Sequence, residues 1–252
     1  MRGREKLLSI IICAYNERRT ILEAIRQACA AELGAGWQQE VIVVDNCSTD
    51  GTRELLSALE SPGVQVVLHP RNLGKSASIL TGVKNARGAY FAVFDADLEY
   101  DARDLARLVE AIDPVETVAV FGSRTRGGRR VYEYAENYWA VRFLTWLANI
   151  AFGGRLTDIA VGLKLARTDV VRALDLSGRD FDLDFELPCR LLKEGYEIQE
   201  VPIAYYPRTA EQGKGLVGLR AFRTGFRWLW LLLKTRFKVR LQRGHARSGA
   251  VR

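Results

Sequence analysis

The fold class follows from the stretch LLSIIICA, residues 7–14, which is apolar at nearly every position. A strand with one wet face alternates apolar and polar residues, whereas an uninterrupted apolar run is typical of a strand buried on both faces. Outward from this run, further strand-like segments alternate with helix-like ones. The strands are expected at 41–44, 64–68 and 90–94, and the helices at about 20–33, 52–59 and 76–86.

This alternation with short loops predicts an α/β fold, a mostly parallel Rossmann-like sheet flanked by helices. Ligands of such sheets lie beyond the carboxyl ends of the strands. The predicted strand ends carry polar or acidic residues at Tyr15–Glu17, Asp45–Asn46, His69–Lys75 and Asp95–Asp97. The sequence therefore predicts a polar site along one edge of the sheet.

After Asp97 the pattern is less regular. Helices are expected at about 102–112 and 184–194, and strands at 118–121, 159–165 and 198–205. Two segments, 131–152 and 219–237, have the spacing of amphipathic helices. We expect one catalytic domain over residues 1–215, followed by a basic amphipathic C-terminal helix and tail over 216–252.

Charge is divided unevenly along the 252 residues. Of the 37 lysines and arginines, 11 follow Glu211, whereas none of the 30 acidic residues does. The net charge of +7 therefore divides into −4 for residues 1–211 and +11 for the tail, and so basic a tail suits an anionic lipid surface. Packing of both amphipathic helices on the sheet is the alternative. A nucleic-acid partner is not expected, because the tail has no groove-reading motif.

Two common phosphate-binding motifs are not matched by this sequence. Gly74-Lys75-Ser76 resembles the end of a P-loop, but His69 stands where that motif requires glycine. No G-x-G-x-x-G pattern follows any predicted strand, so a dinucleotide-binding fingerprint is absent from the sequence. These two observations disfavour a P-loop NTPase.

The acidic sequence Asp95-Ala96-Asp97, with Glu99 nearby, is the sharper signal for chemistry. Alternation along a strand directs Asp95 and Asp97 to the same side. Crowded carboxylates attract a hard divalent cation, and Mg²⁺ or Mn²⁺ held by one or two of them completes its shell with substrate phosphates. A solvated acidic turn is the alternative, but the position at the end of a buried strand favours the metal site.

Several motifs occur in order and resemble those of family 2 inverting glycosyltransferases, which have a GT-A fold. They are ICAYNE at 12–17, VDNCSTDGT at 44–52, NLGK at 72–75 and DAD at 95–97. A second group resembles the polyprenyl-phosphate branch of that family, which includes dolichyl-phosphate mannose synthases. This group is GSR at 122–124, LTD at 156–158, EVPI at 200–203, YPR at 206–208 and GK at 213–214.

The resemblance implies how a nucleotide would be bound. Asp45 would accept hydrogen bonds from the base, while Tyr15 and Glu17 would line the base and ribose. Lys75 would approach the base or the phosphates. Core packing of Tyr15 and plain solvation of Lys75 are the alternatives.

The resemblance also implies a metal and its phosphate partners. Asp97 and Glu99 would ligate Mg²⁺ or Mn²⁺, and Asp95 would contact the ribose or the metal. Arg124 and Arg208 would meet phosphates, since a guanidinium can bind two oxygens at once. Surface ion pairs are the alternative for both arginines.

On the acceptor side, the resemblance implies contacts from Lys214 and an orienting or base-like role for Asp158. Glu186 is a second carboxylate in a family-like position, although a charge at a helix N-terminus is favourable without catalysis. A lipid monophosphate is largely dianionic at neutral pH and can attack without losing a proton. A hydroxyl acceptor would need a general base.

The expected function is transfer of a sugar from a UDP- or GDP-sugar to a polyprenyl or dolichyl phosphate. Transfer to a soluble or glycan hydroxyl is one alternative, and a catalytically silent nucleotide-binding membrane scaffold is another. The longest apolar run is the six residues Trp228–Leu233, too short for a membrane-spanning helix, and Met1–Arg4 lacks the pattern of a secretion signal. We therefore expect a cytoplasmic protein associated peripherally with the inner face of the membrane.

Overall fold

One sheet forms the centre of the computed structural model, which describes residues 6–126, 135–177, 180–208 and 219–237. Within these ranges it has seven strands in the order β3-β2-β1-β4-β6-β5-β7. The strands are β1 (Leu7–Ala14), β2 (Gln38–Asp45), β3 (Val64–Leu68), β4 (Tyr90–Val93), β5 (Ala119–Ser123), β6 (Lys164–Arg167) and β7 (Ile198–Pro202).

Eight helices lie within the same ranges. They are α1 (Ile21–Cys29), α2 (Thr52–Ser57), α3 (Lys75–Asn85), α4 (Asp104–Glu110), α5 (Ala135–Phe152), α6 (Thr168–Ala173), α7 (Asp182–Lys193) and α8 (Leu219–Phe237). None of the described helices is both long and apolar enough to cross a membrane.

Strand direction decides where the site can lie. Strands β1, β2, β3 and β4 run parallel to one another, and β5 runs parallel to β7. Strand β6 is antiparallel to both β4 and β5, so it is the one reversed strand of the sheet described here. The carboxyl ends of the other six strands therefore meet at one edge, together with the start of β6.

The central strand β1 confirms the expectation from its sequence. Leu8, Ile10, Ile11 and Ile12 are fully buried between helices on the two faces of the sheet. Each such side chain contributes about 1.5–3 kcal/mol when it leaves water. The mostly parallel, helix-flanked sheet is confirmed.

Several predicted boundaries were wrong. Helix α1 begins at Ile21, and the Thr20 hydroxyl donates to the Glu17 carboxylate at 3.0 Å instead of capping the helix. Helix α1 ends at Cys29 rather than near Leu33. Strand β6 begins only at Lys164, since the preceding backbone turns to donate from Gly162 N to the Tyr100 hydroxyl at 2.8 Å.

Helices α5, α7 and α8 share a second apolar cluster beside the sheet. Leu144 of α5, Phe185 of α7 and Trp228 of α8 are buried in it, and the last two rings stack with centroids 5.7 Å apart. The C-terminal helix at 219–237 is confirmed, and it packs against the rest of the protein. Residues 131–134, the first part of the segment predicted as an amphipathic helix, lie outside the described ranges, as does the tail after Phe237.

Candidate functional site

The first two loops at the carboxyl edge are tied to each other. Asn16 has a φ of 58°, a left-handed conformation that asparagine tolerates better than most residues. Its side-chain oxygen accepts from Thr49 N at 2.8 Å, and its own N–H donates to Ser48 Oγ at 2.9 Å. This anchorage leaves Tyr15 48% exposed above the end of β1, beside Glu17.

Asp45, at the end of β2, is fully buried. Its carboxylate accepts from Arg53 Nη1 at 3.0 Å and from Ser48 N at 3.3 Å. Both contacts hold the loop that follows β2. The Asp45 oxygens are therefore already hydrogen-bonded within this loop. The expected hydrogen bonds from a nucleotide base to Asp45 remain a prediction.

Lys75 opens α3 and points toward the acidic motif. Its Nζ lies 2.9 Å from Asp95 Oδ1 and 3.5 Å from Asp184 Oδ2 of α7. Burial lowers the pKa of Lys75, but the attraction of Asp184 and Asp95 outweighs it and holds that pKa well above its usual value. Lys75 thus remains charged and fixes Asp95 at the end of β4.

Arg208 joins three of the predicted site carboxylates. Its guanidinium donates to both oxygens of Glu17 at 3.1 Å and to Asp97 Oδ2 at 3.0 Å. Its backbone N–H donates to Glu99 Oε1 at 2.9 Å. The structure therefore brings residues from the first and last parts of the chain together around one cation.

Asp97 is the carboxylate most disfavoured as an anion. Burial, followed by repulsion from Asp95 and Glu99, raises the pKa of Asp97 to about 7, although Arg208 opposes the rise. A second cation beside Asp97 would relieve this repulsion. The local charge consists of the three carboxylates of Glu17, Asp97 and Glu99 against one guanidinium.

The donor set fits a hard divalent cation that is shared with a substrate. Within the described residues, no three His, Cys, Asp or Glu side chains converge as a complete ligand set. Mg²⁺ is commonly held by only one or two carboxylates plus phosphate oxygens and water. Asp97 and Glu99, with carboxylate oxygens and excess negative charge, could hold such an ion together with a diphosphate.

Arg124 and Asp158, which the resemblance assigns to the phosphates and to the acceptor, form an ion pair with each other. Arg124 Nε lies 2.6 Å from Asp158 Oδ2 and its Nη2 lies 2.8 Å from Oδ1, and the carboxylate is fully buried. Burial raises the pKa of Asp158, but Arg124 outweighs burial and holds it below its usual range. This geometry suits an orienting role for Asp158, while its base-like role and the contact of Arg124 with phosphate remain predictions.

Glu186 and Glu200, two further carboxylates of the family-like segments, bind groups of the protein itself. Glu186 accepts from Ser177 N at 2.8 Å and from Ser177 Oγ at 2.6 Å. Glu200 of the EVPI motif accepts from Thr157 N at 2.9 Å and Asp158 N at 3.1 Å, which holds the loop before β6. Lys214 lies outside the described residues.

Three residues that the sequence did not single out complete the site. Asp184 is the second partner of Lys75, and the Tyr205 hydroxyl donates to Glu99 at 2.7 Å. The Tyr205 ring also lies 5.1 Å from the Arg124 guanidinium carbon, so Tyr205 connects Glu99 to the Arg124–Asp158 pair. At Gly162, a Cβ would lie 2.4 Å from Asp95 Oδ2, so a larger residue there would displace the Asp95 carboxylate.

Lys164, on β6, is a buried cation at the same edge. It pairs in register with Val93 of β4 and Phe121 of β5. Burial lowers the pKa of Lys164 to about 8, with Asp184 acting in the opposite direction. A lysine within the apolar run IAVGLKLA was the sequence signal for it.

A family model described as "Glycosyl transferase family 2" matches residues 9–175. A dolichol-phosphate mannosyltransferase of Pyrococcus furiosus is 30% identical over 216 residues, which are 82% of this chain and 58% of the relative. An undecaprenyl-phosphate 4-deoxy-4-formamido-L-arabinose transferase of Edwardsiella ictaluri is 29% identical over 176 residues, which are 67% of this chain and 51% of the relative. The chain spans about half the length of these curated relatives.

Among solved structures, glucosyl-3-phosphoglycerate synthase from Mycobacterium tuberculosis has a similar fold. That structure contains Mn²⁺, uridine diphosphate and phosphoglyceric acid, and the TM-score is 0.67 at 19% identity. The match covers 92% of this chain and 79% of the other. At this identity the likeness shows the fold alone.

Proposed function

Because the chain belongs to glycosyl transferase family 2, we propose that it transfers a sugar from a nucleoside diphosphate sugar to a polyprenyl phosphate. The observation that carries this proposal is the cluster of Asp95, Asp97 and Glu99 with Lys75 and Arg208 at the carboxyl edge of the sheet. Two relatives act on lipid phosphates by name, which supports the same acceptor class here.

The donor half of the site would bind the nucleotide and its diphosphate. Tyr15 and Glu17 would line the base and ribose, with Asp45 holding the adjoining loop. Lys75 would keep Asp95 oriented toward the ribose or the metal. Because Arg208 contacts Asp97, a diphosphate near this carboxylate would come within reach of the guanidinium.

Asp97 and Glu99 would hold Mg²⁺ or Mn²⁺. Such an ion neutralises charge that develops on a departing diphosphate. Arg208 would stabilise the same charge from the protein side. The similar fold that was crystallised with Mn²⁺ and uridine diphosphate supports a divalent metal and leaves both UDP- and GDP-sugars as candidate donors.

The acceptor half favours a phosphate over a hydroxyl. A hydroxyl acceptor needs a general base, but Asp158 is fully buried on Arg124 and Glu186 is bound to Ser177. A lipid phosphate dianion needs no base. Its oxygen would attack the anomeric carbon while the bond from that carbon to the β-phosphate oxygen breaks, and the electron pair would leave with the nucleoside diphosphate.

The reaction would take place at a membrane surface, because a polyprenyl acceptor resides in a bilayer. The 11 basic residues after Glu211, with no acidic residue among them, support attachment to an anionic leaflet. We propose peripheral association with the inner face of the cytoplasmic membrane. Attachment by the basic C-terminal segment is one part of this proposal.

The test is a transfer assay with the full chain. The protein is incubated with labelled UDP- and GDP-sugars, Mn²⁺ and undecaprenyl or dolichyl phosphate, and label is measured in the organic phase. We expect acid-labile organic-phase label that requires both metal and lipid phosphate. The matched acceptor control is the corresponding polyprenol without phosphate, which should accept no sugar.

Other outcomes identify the alternatives. Label on a soluble hydroxyl acceptor, with none on lipid phosphate, would establish the hydroxyl reaction instead. Nucleotide binding without transfer or donor hydrolysis, across all common donors, would indicate a silent scaffold. Transfer that persists unchanged in a metal chelator would overturn the metal assignment.

A further inference from the structure

Helix α5 presents a row of large apolar side chains to solvent. Trp139, Phe143, Trp146 and Ile150 recur on one helical face and are between 56% and 65% exposed. Phe143 and Trp146 stack on each other with centroids 6.0 Å apart. The opposite face of α5 is buried through Leu144, so the exposed row lies on a packed helix.

Helix α8 has the same two-sided character. Trp228, Leu231 and Leu232 are buried against the protein. Trp230, Leu233 and Phe237 face outward and are 57%, 50% and 82% exposed. Because the inner face is already packed, the exposed aromatic residues have no role in the described core.

The two helices pack against each other and bury their inner faces in the same apolar cluster, so both exposed rows lie on the side of this helix pair that points away from the cluster. We call these seven residues the α5–α8 face: Trp139, Phe143, Trp146, Ile150, Trp230, Leu233 and Phe237. Exposed large apolar side chains grouped on neighbouring helices in this way mark interaction sites in soluble proteins. Tryptophan in particular is enriched at the boundary between lipid headgroups and acyl chains.

Apart from Glu136 in the first turn of α5, the charged residues of helices α5 and α8 are all basic. Residues 137–152 and 212–252 contain no acidic residue. Arg142 on α5 and Lys234 and Arg236 on α8 are exposed. Lys234 Nζ lies 4.9 Å from the centre of the Trp230 ring, so cation and aromatic occupy the same surface.

We propose that the α5–α8 face is the surface by which the protein docks on an anionic lipid bilayer. Aromatic and aliphatic side chains would enter the headgroup region while the surrounding cations meet lipid phosphates. A second copy fits less well, because a two-fold contact would set this cationic surface against itself. The inference rests on the proposed function only for the identity of the lipid substrate within that bilayer.

The docking face is physically connected to the donor site. Arg227, on α8, donates to Asp182 Oδ2 at 2.8 Å and also to Asp180. The Asp180 carbonyl accepts from Ser76 N at 2.7 Å at the start of α3, beside Lys75. A bilayer bound to α8 would therefore lie at a fixed position relative to the Lys75–Asp95 pair.

Vesicle sedimentation tests this surface directly. The full chain is mixed with vesicles of phosphatidylglycerol and phosphatidylcholine in equal parts, and with vesicles of phosphatidylcholine alone. The test variant is Phe143→Ser with Trp146→Ser. The control is Leu22→Ser with Val115→Ser, which removes exposed apolar residues elsewhere at 44% and 87% exposure.

We expect the wild type and the control to bind anionic vesicles. The test variant should need at least about tenfold more lipid to reach the same bound fraction. Neutral vesicles should bind the wild type more weakly. Circular dichroism and the thermal midpoint establish that each variant is folded. Equal binding by the test variant, or no binding by the wild type, would overturn the proposal, as would a wild-type dimer in solution that the test variant abolishes.

The same variant separates docking from catalysis. With a short-chain, water-soluble polyprenyl phosphate, the test variant should transfer sugar at the wild-type rate. With a long-chain acceptor in anionic vesicles, its rate should fall with its vesicle binding. A wild type that binds vesicles but makes no glycolipid would overturn the proposed function and leave the docking surface standing.

Discussion

Lys75 Nζ lies 2.9 Å from Asp95 Oδ1, and this pair connects helix α3 to the acidic motif at the end of β4. Asp184 approaches the same ammonium group from α7 at 3.5 Å. All three side chains are less than one-fifth exposed, so the interaction is poorly screened by solvent. A lysine that the resemblance associated with the nucleotide thus has a second task, which is to orient a motif carboxylate.

Replacing Lys75 with methionine tests that task. We expect Lys75→Met to lower kcat/KM for the donor by about 100-fold, because Asp95 loses its charged partner and repels Asp184. The free energy of unfolding should fall by about 2 kcal/mol for the same reason. Label transfer and urea unfolding provide the two measurements.

The matched control for this change is Lys84→Met, at an exposed position in the last turn of the same helix. It should leave transfer unchanged and alter stability by less than about 0.5 kcal/mol. If Lys75→Met transferred sugar at the wild-type rate, Lys75 would have no part in orienting Asp95.

We expect Asp97→Asn to lose sugar transfer and to be more stable than the wild type. The pKa of Asp97 in the folded protein is about 7, above its usual value, so the folded state binds an extra proton between roughly pH 4 and pH 7. Wild-type stability therefore falls as pH rises through this interval. Asparagine does not titrate, so the stability advantage of the variant should grow by about 1–3 kcal/mol from pH 5 to pH 8, measured without metal.

Asp101 supplies a control of opposite sign. A hydrogen bond from Arg103 lowers the pKa of Asp101, so its ionised form stabilises the folded state as pH rises. Asp101→Asn should therefore lose stability relative to the wild type from acid to neutral pH, and it should retain transfer. A pH-independent stability difference for Asp97→Asn would contradict the account of Asp97, and retained transfer would refute its assignment as a metal ligand.

Asp158→Asn distinguishes an orienting carboxylate from a base. Replacing the buried carboxylate removes the charged partner of Arg124, which should lower the free energy of unfolding by about 3–5 kcal/mol. At a temperature where the variant stays folded, its pH–rate profile should keep the acidic limb of the wild type. Loss of that limb would instead identify Asp158 as the group that titrates in catalysis.

The exposed pair of Arg167 and Asp169 offers the comparison, since it is also bound through two hydrogen bonds. Asp169→Asn should cost less than about 1 kcal/mol, because solvent screens that pair. Equal losses of unfolding free energy in Asp158→Asn and Asp169→Asn would mean that burial of Asp158 adds nothing to the stability of its ion pair.

Arg227→Met tests the connection between α8 and the donor site. The Arg227 contacts are partly exposed, so the free energy of unfolding should fall by only about 1 kcal/mol. The KM for the donor should rise more than kcat falls, because the segment that supports the start of α3 loses its anchor. Binding to anionic vesicles should be retained, since the α5–α8 face is intact.

Arg26→Met is the corresponding surface control. Arg26 binds Glu23 through two hydrogen bonds on α1, far along the chain from α8. It should change neither the donor KM nor vesicle binding. An unchanged donor KM in Arg227→Met would show that α8 is attached without influencing the site.

The sequence by itself determined the sheet, its buried central strand and the polar edge. An apolar run such as residues 7–14 has few ways to bury both faces, and alternating elements force the carboxyl ends of parallel strands together. The acidic motif at Asp95–Asp97 was predictable at this edge because it follows a buried strand, although β4 ends at Val93 and the motif lies beyond it. The exposed row on α5 was predictable as a helical face, but its exposure was not.

Only the tertiary structure decided which charges meet. Arg208 reaches Glu17 across most of the chain, Asp184 shares Lys75 with Asp95, and Arg124 closes on Asp158. These pairs depend on the reversed strand β6 and on the packing of α7, which no local pattern specifies. The energy of an ion pair depends on distance and burial, and both are properties of the folded chain.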